Sequence, residues 1–382
     1  LRTGAANVWS IPSADPEREL VFVPTSSPSP DFYGGERKGN NLYADSVVAL
    51  NARTGERVWH FQTVHHDLWD YDLASQPVLI DLPTRGGDGK TRPAVAQATK
   101  MGHLFFLDRE TGEPLIAVEE RPVPASTVPG ERTAKTQPFP TWPPPLSPQT
   151  IHPDEAFGFT PWDRAQCRKL LGTLRNEGIF TPPSFEGSVL YPGVAGGSNW
   201  GSVAYDDERK LLIANTSNVA LTLQILTREQ AASAQPGPAY SSIARMAGTP
   251  YAARTSVLVS PWTVPCIPPP WGGLTALDLE NRTVLWQRSL GTTRGLAPVP
   301  LPIDFELGTP NQGGPIVTRG GLIFIAATMD DFLRAFDSET GEEGIPPAGY
   351  KGRMVEGVAG VNYNVAGPVV VGVEGTASKG VS

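Results

Sequence analysis

Four segments of the chain share one pattern of apolar and polar positions. In each, a short apolar run ends in Asp or Asn and leads into a polar turn that carries Gly or Asn. Because Gly and Asn tolerate positive φ, the pattern predicts a tight turn between antiparallel strands. In the first and third segments the second strand ends in Trp, at Trp59 and Trp286. The segments span residues 49–59, 107–113, 276–286 and 335–342, with positive φ expected at Gly55, Gly112, Asn281 and Gly341.

Further apolar runs at residues 20–23, 211–214 and 322–326 precede these turns and predict short, largely buried strands. The Gly55 and Gly112 turns are about 57 residues apart, and the distance from Gly112 to the Asn281 turn is about three times this period. Small antiparallel sheets at this period predict an all-β fold, a β-propeller whose blades stack around an axis. A β-sandwich with similar turns is the alternative, which the recurring Asp-Thr-Gly-Trp pattern disfavours.

The segments between the turns do not follow the repeat and are interpreted as insertions. Residues 122–148 include three consecutive prolines and are not expected to form regular sheet or helix. Residues 162–175 predict a short helix, with Thr160 as N-cap and Pro161 in the first turn. One or two helical turns are also predicted at residues 227–234. Insertions on a rigid scaffold often shape a ligand site.

Composition agrees with many strands joined by tight turns. Gly and Pro account for 40 and 39 of the 382 residues, more than a helical fold would use. The net charge of −8 and the lack of a basic cluster in the sequence argue against nucleic acid or an anionic membrane surface as a partner. No apolar run approaches the roughly 20 residues that cross a bilayer. The two cysteines, Cys167 and Cys266, leave open a buried thiol pair or one disulfide.

The densest cluster of chemically active side chains covers residues 65–72. His65 and His66 are followed by Asp67, Asp70 and Asp72. The cluster is compatible with a metal or acid–base site, and equally with a turn whose Asp side chains cap backbone amides. Zinc is disfavoured because no third ligand follows at a recognised spacing, whereas Ca²⁺ or Mg²⁺ needs only carboxylate and carbonyl oxygens. The sequence has no phosphate-binding Gly-rich loop and no Gly-x-Ser-x-Gly elbow, so nucleotide cofactors have no support.

The same segment resembles part of a known family. Residues 55–72 resemble the active-site strand and loop of membrane-bound quinoprotein glucose dehydrogenases. Further matches follow in order at residues 121–124, 136–139, 177–184, 326–328 and 333–335. The resemblance runs from about residue 7 to residue 343. It implies an eight-bladed propeller, incomplete here, of which this chain would hold somewhat more than half. It also implies pyrroloquinoline quinone (PQQ) and Ca²⁺ or Mg²⁺ as cofactors.

The resemblance assigns roles to four residues. Asp70 matches the family's catalytic aspartate, which is expected to act as general base for the anomeric hydroxyl and to touch the metal ion. Lys100 matches a cationic residue beside the quinone oxygens, where a fixed positive charge stabilises the reduced quinone. Trp9 matches a tryptophan that forms a floor under the planar cofactor. Asn215 matches an amide that contacts the cofactor.

Residue types alone favour plainer roles for the same positions. They would make Trp9 a core side chain, Lys100 a solvated lysine of a turn, and Asn215 a blade-turn residue. His65 and His66 are expected to be structural or to support the site. The family has cysteines at both cysteine positions of this chain, which implies a disulfide.

Three departures from the family pattern bear on these expectations. The chain begins just before Trp9, so blades with a metal ligand and cofactor contacts are expected to be missing, which would leave destabilising open sheet edges. Ser27 precedes a Pro-Ser-Pro where related alcohol dehydrogenases place a metal-binding Asn. Residues 1–343 are interpreted as the partial propeller domain. Residues 344–382 are interpreted as an atypical tail that arises from a shifted reading frame or a divergent end.

The sequence is therefore interpreted as part of a sugar dehydrogenase. The resemblance implies PQQ-dependent oxidation of an aldose, D-glucose to gluconolactone, with electrons passed to ubiquinone at the periplasmic face of the inner membrane. The resemblance also implies an N-terminal membrane anchor that holds the family's enzymes in place and is expected to lie outside this chain. Oxidation of quinate or another polyol is the nearest alternative. A non-catalytic propeller that acts as a scaffold is another, and it would not need Asp70 and Lys100 in a common cavity.

Overall fold

The computed structural model describes residues 4–85, 89–234, 240–294 and 305–344, which form seven antiparallel sheets. Four of these sheets follow one another along the chain as blades, and the other three are built from shorter or inserted segments. The predicted all-β propeller class is confirmed. No helix within the described ranges is both long enough and apolar enough to cross a membrane.

The first blade is formed by residues 13–62. The strands up to this point are β1 (Gly4–Ala5), β2 (Ser13–Asp15), β3 (Leu20–Pro24), β4 (Pro28–Ser29), β5 (Ser46–Asn51) and β6 (Arg57–Gln62). The blade has the order β2-β3-β5-β6, and β1 pairs separately with β4. Strand β5 is buried from Ser46 to Ala49 because it lies inside the sheet and is covered on both faces.

The second blade has three strands and is followed by a two-stranded ribbon. The strands are β7 (Val78–Pro83), β8 (Thr91–Ala98), β9 (Leu104–Asp108), β10 (Val118–Pro122) and β11 (Thr136–Pro140). Strands β7, β8 and β9 form the blade, and β10 pairs with β11. The expectation that residues 122–148 contain no regular sheet is therefore wrong for β11. Each strand of a two-stranded ribbon has a free edge, which tolerates Pro138 and Pro140 although they lack an N–H.

A helical insertion precedes the third blade. It contains a 3₁₀ turn (Pro153–Glu155) and helix α1 (Pro161–Leu171). Helix α1 confirms the prediction, and Thr160 caps it by accepting the Asp163 N–H at 3.1 Å. The helix ends at Leu171 before Gly172, four residues earlier than predicted. A disulfide joins Cys167 of α1 to Cys266, so the expected pairing is confirmed.

The third blade carries an inserted sheet that no sequence pattern predicted. The elements are β12 (Ser188–Leu190), β13 (Val203–Asp206), β14 (Leu211–Ser217), β15 (Leu221–Thr227), α2 (Arg228–Ser233), β16 (Ser241–Ala244), β17 (Tyr251–Val257), β18 (Gly272–Asp278) and β19 (Thr283–Ser289). The blade has the order β13-β14-β18-β19, while β12-β15-β17-β16 form the inserted sheet. Strands β15 to β17 leave the blade after β14 and return at β18. Helix α2 confirms the helical turns predicted at residues 227–234.

The fourth blade completes the described part of the chain. Its strands are β20 (Ile316–Val317), β21 (Leu322–Ile325) and β22 (Arg334–Asp337), in that order. The strands predicted at residues 20–23, 211–214 and 322–326 are thus confirmed as β3, β14 and β21. The tail predicted at residues 344–382 lies outside the described residues, apart from Gly344.

Three apolar clusters fill the spaces between successive blades. Packing of the apolar faces of twisted sheets against one another holds the propeller together. The cluster between the first two blades includes Phe22, Ala49, Phe105 and Leu107. The next includes Ile80, Phe106, Leu212 and Leu277, and the third includes Ile213, Ala276, Ile323 and Phe336.

Positive φ in the four repeated turns falls on the fourth residue after the Asp or Asn. Gly55, Gly112 and Gly341 occupy this position with φ of 72°, 74° and 67°. In the third blade the position holds Arg282, with φ of 58°, so the expectation of positive φ at Asn281 is wrong. The carboxylate of Asp278 accepts the N–H of Asn281 at 2.9 Å, which assigns Asn281 to the body of the turn.

Candidate active site

An ion pair joins Asp70, in the loop between β6 and β7, to Lys100, in the turn between β8 and β9. The Lys100 Nζ donates to the main-chain oxygen of Asp70 at 2.9 Å and lies 3.4 Å from Asp70 Oδ2. The same ammonium group contacts Asp72 Oδ1. Lys100 is buried, so the expectation of a solvated turn lysine is wrong. The structure therefore brings together two of the four predicted site residues.

The loop around Asp70 is held in place by its neighbours. Asp70 itself has φ of 61°, an uncommon conformation for a residue other than Gly. The buried carboxylate of Asp67 accepts the N–H groups of Trp69 at 3.0 Å and Tyr71 at 3.2 Å, one on each side of Asp70. The Trp69 indole donates to the Thr181 carbonyl oxygen at 2.7 Å. These contacts fix the direction of the Asp70 side chain.

Burial and neighbouring charges shift the pKa values of both Asp70 and Lys100. The Asp70 side chain is 27% exposed. Burial and the charge of Asp72 raise the pKa of Asp70 to about 6, although Lys100 and a 3.1 Å hydrogen bond from Ser27 oppose the shift. Burial alone would lower the pKa of Lys100, but Asp70 and Asp72 raise it above its usual value. Lys100 therefore stays charged, and Asp70 titrates close to neutrality.

A third carboxylate that the sequence analysis missed acts on this pair. Asp31 follows the Pro-Ser-Pro segment, and its charge raises the pKa of Asp70. Burial, together with the charge of Asp72, raises the pKa of Asp31 itself, despite the opposing charges of Arg37 and Lys100. Its place directly after a motif that distinguishes branches of the family was a signal available in the sequence.

Asn215 lies on β14 and has one unsatisfied side-chain atom. Its Nδ2 donates to Asn311 Oδ1 at 2.6 Å and to the Gly313 carbonyl oxygen at 2.7 Å. Its Oδ1 is buried and has no hydrogen-bond partner among the described residues. A buried acceptor without a partner costs stability unless a ligand satisfies it. The amide oxygen therefore has hydrogen-bonding capacity that the described residues leave unused.

Asn215 does not contact the ion pair directly. Ser198 connects the two regions, because its N–H donates to the Thr99 carbonyl oxygen at 3.1 Å and its Oγ donates to the Asn215 carbonyl oxygen at 3.2 Å. Thr99 directly precedes Lys100. Neighbouring blades thus present Asn215 and Lys100 at the same end of their sheets.

Trp9 contacts Trp200, and no hydrogen bond or ring contact among the described residues joins it to the other three predicted residues. Its ring is 36% exposed and packs edge to face against Trp200, with ring centroids 4.2 Å apart. The expectation from residue types that Trp9 is a core side chain is therefore wrong. Its segment is held to the first blade, since the Ser26 N–H donates to the Asn7 carbonyl oxygen at 2.9 Å and the Ala6 N–H donates to the Ser27 carbonyl oxygen at 3.1 Å.

The two histidines of the site loop bind carboxylates of neighbouring segments. His66 Nε2 lies 3.1 Å from Glu131 Oε1, and both side chains are buried. His65 Nε2 lies 3.1 Å from Glu120 Oε1 of β10. Within the described ranges, no group of three or more His, Cys, Asp or Glu side chains could hold a metal ion by itself. The contacts agree with a supporting role for His65 and His66.

Comparison with known proteins identifies the family. The model for the β-propeller domain of PQQ-containing glucose, ethanol and alcohol dehydrogenases matches residues 1–346. Relatives include a quinate/shikimate dehydrogenase (quinone) from Acinetobacter baylyi, 38% identical over 90% of this chain, and a quinoprotein glucose dehydrogenase from Escherichia coli, 36% identical over 94%. The glycerol dehydrogenase large subunit of Gluconobacter thailandicus is 40% identical over 89% of this chain. This chain belongs to the PQQ-dependent dehydrogenase β-propeller family, as the resemblance predicted.

The match covers only part of each relative. The chain spans 43% of the length of the quinate/shikimate dehydrogenase, 46% of the glucose dehydrogenase and 48% of the glycerol dehydrogenase subunit. Among solved structures, the quinohemoprotein alcohol dehydrogenase from Comamonas testosteroni superimposes with a TM-score of 0.53 at 22% identity. That alignment covers 89% of this chain and 40% of the other, and it supports the propeller fold.

Proposed function

We propose that the protein containing this chain oxidises a hydroxyl group of a sugar or polyol in a PQQ-dependent reaction, with D-glucose to gluconolactone as the first candidate. The observation that carries the proposal is the ion pair between Asp70 and Lys100. It combines a carboxylate whose pKa is about 6 with a buried, permanently charged ammonium group. A carboxylate that titrates near neutrality is suited to general-base catalysis. A scaffold protein has no need for this arrangement.

The residues around the ion pair fit the two expected cofactors. Asp31, Asp70 and Asp72 place three carboxylates near one ammonium group. Burial, together with the charge of Asp72, raises the pKa values of Asp31 and Asp70, so a positive counterion would favour their ionised forms. A Ca²⁺ or Mg²⁺ ion, which prefers oxygen ligands, would supply that counterion, with Asp70 as one ligand and Asp31 as a second candidate. The free Asn215 Oδ1 could accept a hydrogen bond from PQQ, and the exposed Trp9 ring offers a flat surface.

PQQ, when bound, would supply the carbonyl group that accepts two electrons from the substrate, and the metal ion would polarise that carbonyl. Asp70 would accept the proton of the substrate hydroxyl at its carboxylate. Lys100 would hold Asp70 through the main-chain oxygen and keep a positive charge beside the site. The Asp67 contacts would prevent the Asp70 side chain from turning away from the substrate.

The proposal also covers which substrate is oxidised and which molecule accepts the electrons. Relatives at similar identity are named as dehydrogenases of glucose, quinate or shikimate, and glycerol, so quinate or another polyol is the second candidate. The quinate/shikimate relative carries "quinone" in its name, which supports a quinone, here ubiquinone, as electron acceptor. Activity at the periplasmic face of the inner membrane, with attachment through a segment outside this chain, belongs to the same proposal.

The proposal is tested with the protein expressed together with the flanking sequence that its gene encodes. PQQ binding is followed by absorbance, and dye-linked oxidation is measured with glucose, quinate and glycerol in the presence of Ca²⁺ or Mg²⁺. Asp70→Asn should abolish oxidation and preserve PQQ binding. Asp81→Asn, an exposed aspartate on β7, is the matched control and should remain active. Failure to bind PQQ, or full activity of Asp70→Asn, would contradict the proposal.

A further inference from the structure

A cleft of about 580 Å³ lies between the second and third blades, at the opposite end of the strands from Lys100. On the second blade, β7 leads away from the Asp70 loop to Pro83, and β8 returns from the far end towards Lys100. On the third blade, β18 starts beside Asn215 and leads to the turn that carries Arg282. The cleft is therefore separate from the candidate active site.

Three guanidinium groups and an apolar wall line this cleft. The guanidinium groups belong to Arg85, Arg92 and Arg282, and the wall includes Trp142 and Leu115. None of the described residues that line the cleft is acidic. Arg92 forms an ion pair with Asp108, which does not line the cleft, with Nη2 2.9 Å from Oδ2. Within the described ranges, no ion pair neutralises Arg85 or Arg282.

Arg282 occupies the position that holds Gly in the other three repeated turns. Its φ of 58° lies in the left-handed region, which is less favourable for a residue with a Cβ than for Gly. The conformation directs the side chain into the cleft, where Nη2 donates to the Pro83 carbonyl oxygen at 2.8 Å. The guanidinium carbon lies 5.3 Å from the centre of the Trp142 ring.

One donor of Arg282 has no acceptor. Its Nη1 is buried and lacks a hydrogen-bond partner among the described residues. A buried donor without a partner destabilises the folded protein. Burial and the nearby charge of Arg85 also lower the pKa of Arg282. An oxyanion between the two guanidinium groups would offset the repulsion between their like charges.

We propose that this cleft binds a small organic anion, a carboxylate or phosphate ester that carries a flat apolar group. Arg85 and Arg282 bind the oxyanion, because the planar guanidinium group matches carboxylate and phosphate geometry. Trp142, with Leu115 and Ile116, contacts the apolar group. The proposal does not depend on PQQ, on the metal ion or on the reaction at Asp70.

The test uses 1-naphthoate and its neutral analogue 1-naphthamide, titrated by calorimetry at low ionic strength into the protein with its natural flanking sequence. Naphthoate should bind saturably at one site, and naphthamide should bind at least about tenfold more weakly. Phenyl phosphate replaces naphthoate in a second titration, which ranks phosphate esters against carboxylates. Saturable binding of either anion that requires Arg85 and Arg282 supports the proposal.

Two variants and a matched control identify the site. Arg282→Gly restores the residue of the other turns, so the protein should fold normally while naphthoate affinity falls about tenfold or more. Arg85→Gln should have a similar effect. Arg53→Gln removes an exposed arginine from the corresponding turn of the first blade and should leave binding unchanged. The proposal would be overturned if Arg282→Gly and Arg85→Gln bound naphthoate as tightly as Arg53→Gln does. It would also be overturned if naphthoate and naphthamide bound equally well, or if neither anion bound saturably.

Discussion

The indole of Trp59 lies directly against Gly112 in the turn of the following blade. Its Nε1 donates to the Arg109 carbonyl oxygen at 3.1 Å, and a Cβ on Gly112 would lie 2.5 Å from a ring carbon of Trp59. Trp286 makes the same contact with Gly341, where a Cβ would lie 2.6 Å from the indole. The Trp of one repeat therefore packs against the Gly of the next, which explains why the two residues recur together.

Gly112→Ala should destabilise the protein more than Gly55→Ala. Both glycines have positive φ, so each Ala pays on the order of 1 kcal/mol of backbone strain. Nothing lies within 4 Å of a Cβ on Gly55, whereas a Cβ on Gly112 displaces the Trp59 indole and costs about 1–3 kcal/mol more. Urea denaturation of both variants measures the difference. Equal midpoints would show that the Trp59 contact does not contribute to blade packing.

The sequence predicted the blades well because hairpins are local. Turn chemistry, apolar runs and caps act over a few residues, so the strands β3, β14 and β21 and the helix α1 could be predicted without tertiary information. The inserted sheet depends on pairing between distant strands, such as β12 with β15, and carries no repeat. Arg282 was missed because Asn281 satisfied the same turn preference one residue earlier.

The candidate site was harder to predict from residue types. Asp70 and Lys100 are 30 residues apart and meet only because adjacent loops leave the same end of the second blade. Their convergence on a common cavity was expected from family resemblance alone. Asp31 was not identified, and Asp72 was named only as a member of the polar cluster, because their effect on Asp70 depends on burial and on distances that no local pattern encodes. The contact of Trp9 with Trp200 likewise joins residues far apart in sequence.

Asp67→Asn should lower kcat without changing the fold, provided the proposed reaction is correct. The Asp67 carboxylate accepts two N–H groups, those of Trp69 and Tyr71, and an amide can keep only one of these bonds. Asp70, between them, should then lose its fixed orientation. Misplacement of a base costs about tenfold or more in kcat, with little change in KM.

Steady-state kinetics of Asp67→Asn and Asp81→Asn, together with their thermal midpoints, measure this effect. Asp81 is an exposed aspartate of β7, and its replacement controls for the loss of one aspartate charge away from the site. If kcat of Asp67→Asn matched that of the control, the side-chain hydrogen bond of Trp69 would be sufficient to hold the loop.

Removal of the disulfide should lower stability substantially. Cys167 and Cys266 are 99 residues apart, and closing a loop of this length restricts the unfolded chain by about 4–5 kcal/mol in the chain-entropy model. The double variant Cys167→Ser/Cys266→Ser should unfold at lower urea concentration than the oxidised protein. Dithiothreitol, added during unfolding, should bring the wild-type midpoint down to that of the variant and leave the variant unchanged. A wild-type midpoint that does not respond to dithiothreitol would show that the two thiols are unpaired.

His103 should make stability depend on pH between about 6.5 and 4. Burial lowers the pKa of His103 to about 4, and its Nε2 lies 3.1 Å from Gln149 Oε1. Gln149 Nε2 donates to the Met101 carbonyl oxygen, so Gln149 Oε1 accepts the Nε2 proton and leaves Nδ1 without a partner for a second proton. Between these pH values the unfolded state therefore binds a proton at His103 that the folded state does not bind.

Because the unfolded chain takes up more protons in this range, the free energy of unfolding rises with pH. The stabilisation is fully present above the unfolded pKa of about 6.5 and is lost as pH falls through the folded value of about 4, by about 3 kcal/mol in total. Carboxylates titrate over part of the same range, so the decisive quantity is the difference between wild type and His103→Gln. Urea denaturation at several pH values should show a shallower slope for the variant between pH 6.5 and 4. Parallel curves would mean that folded His103 accepts its second proton as readily as the unfolded chain.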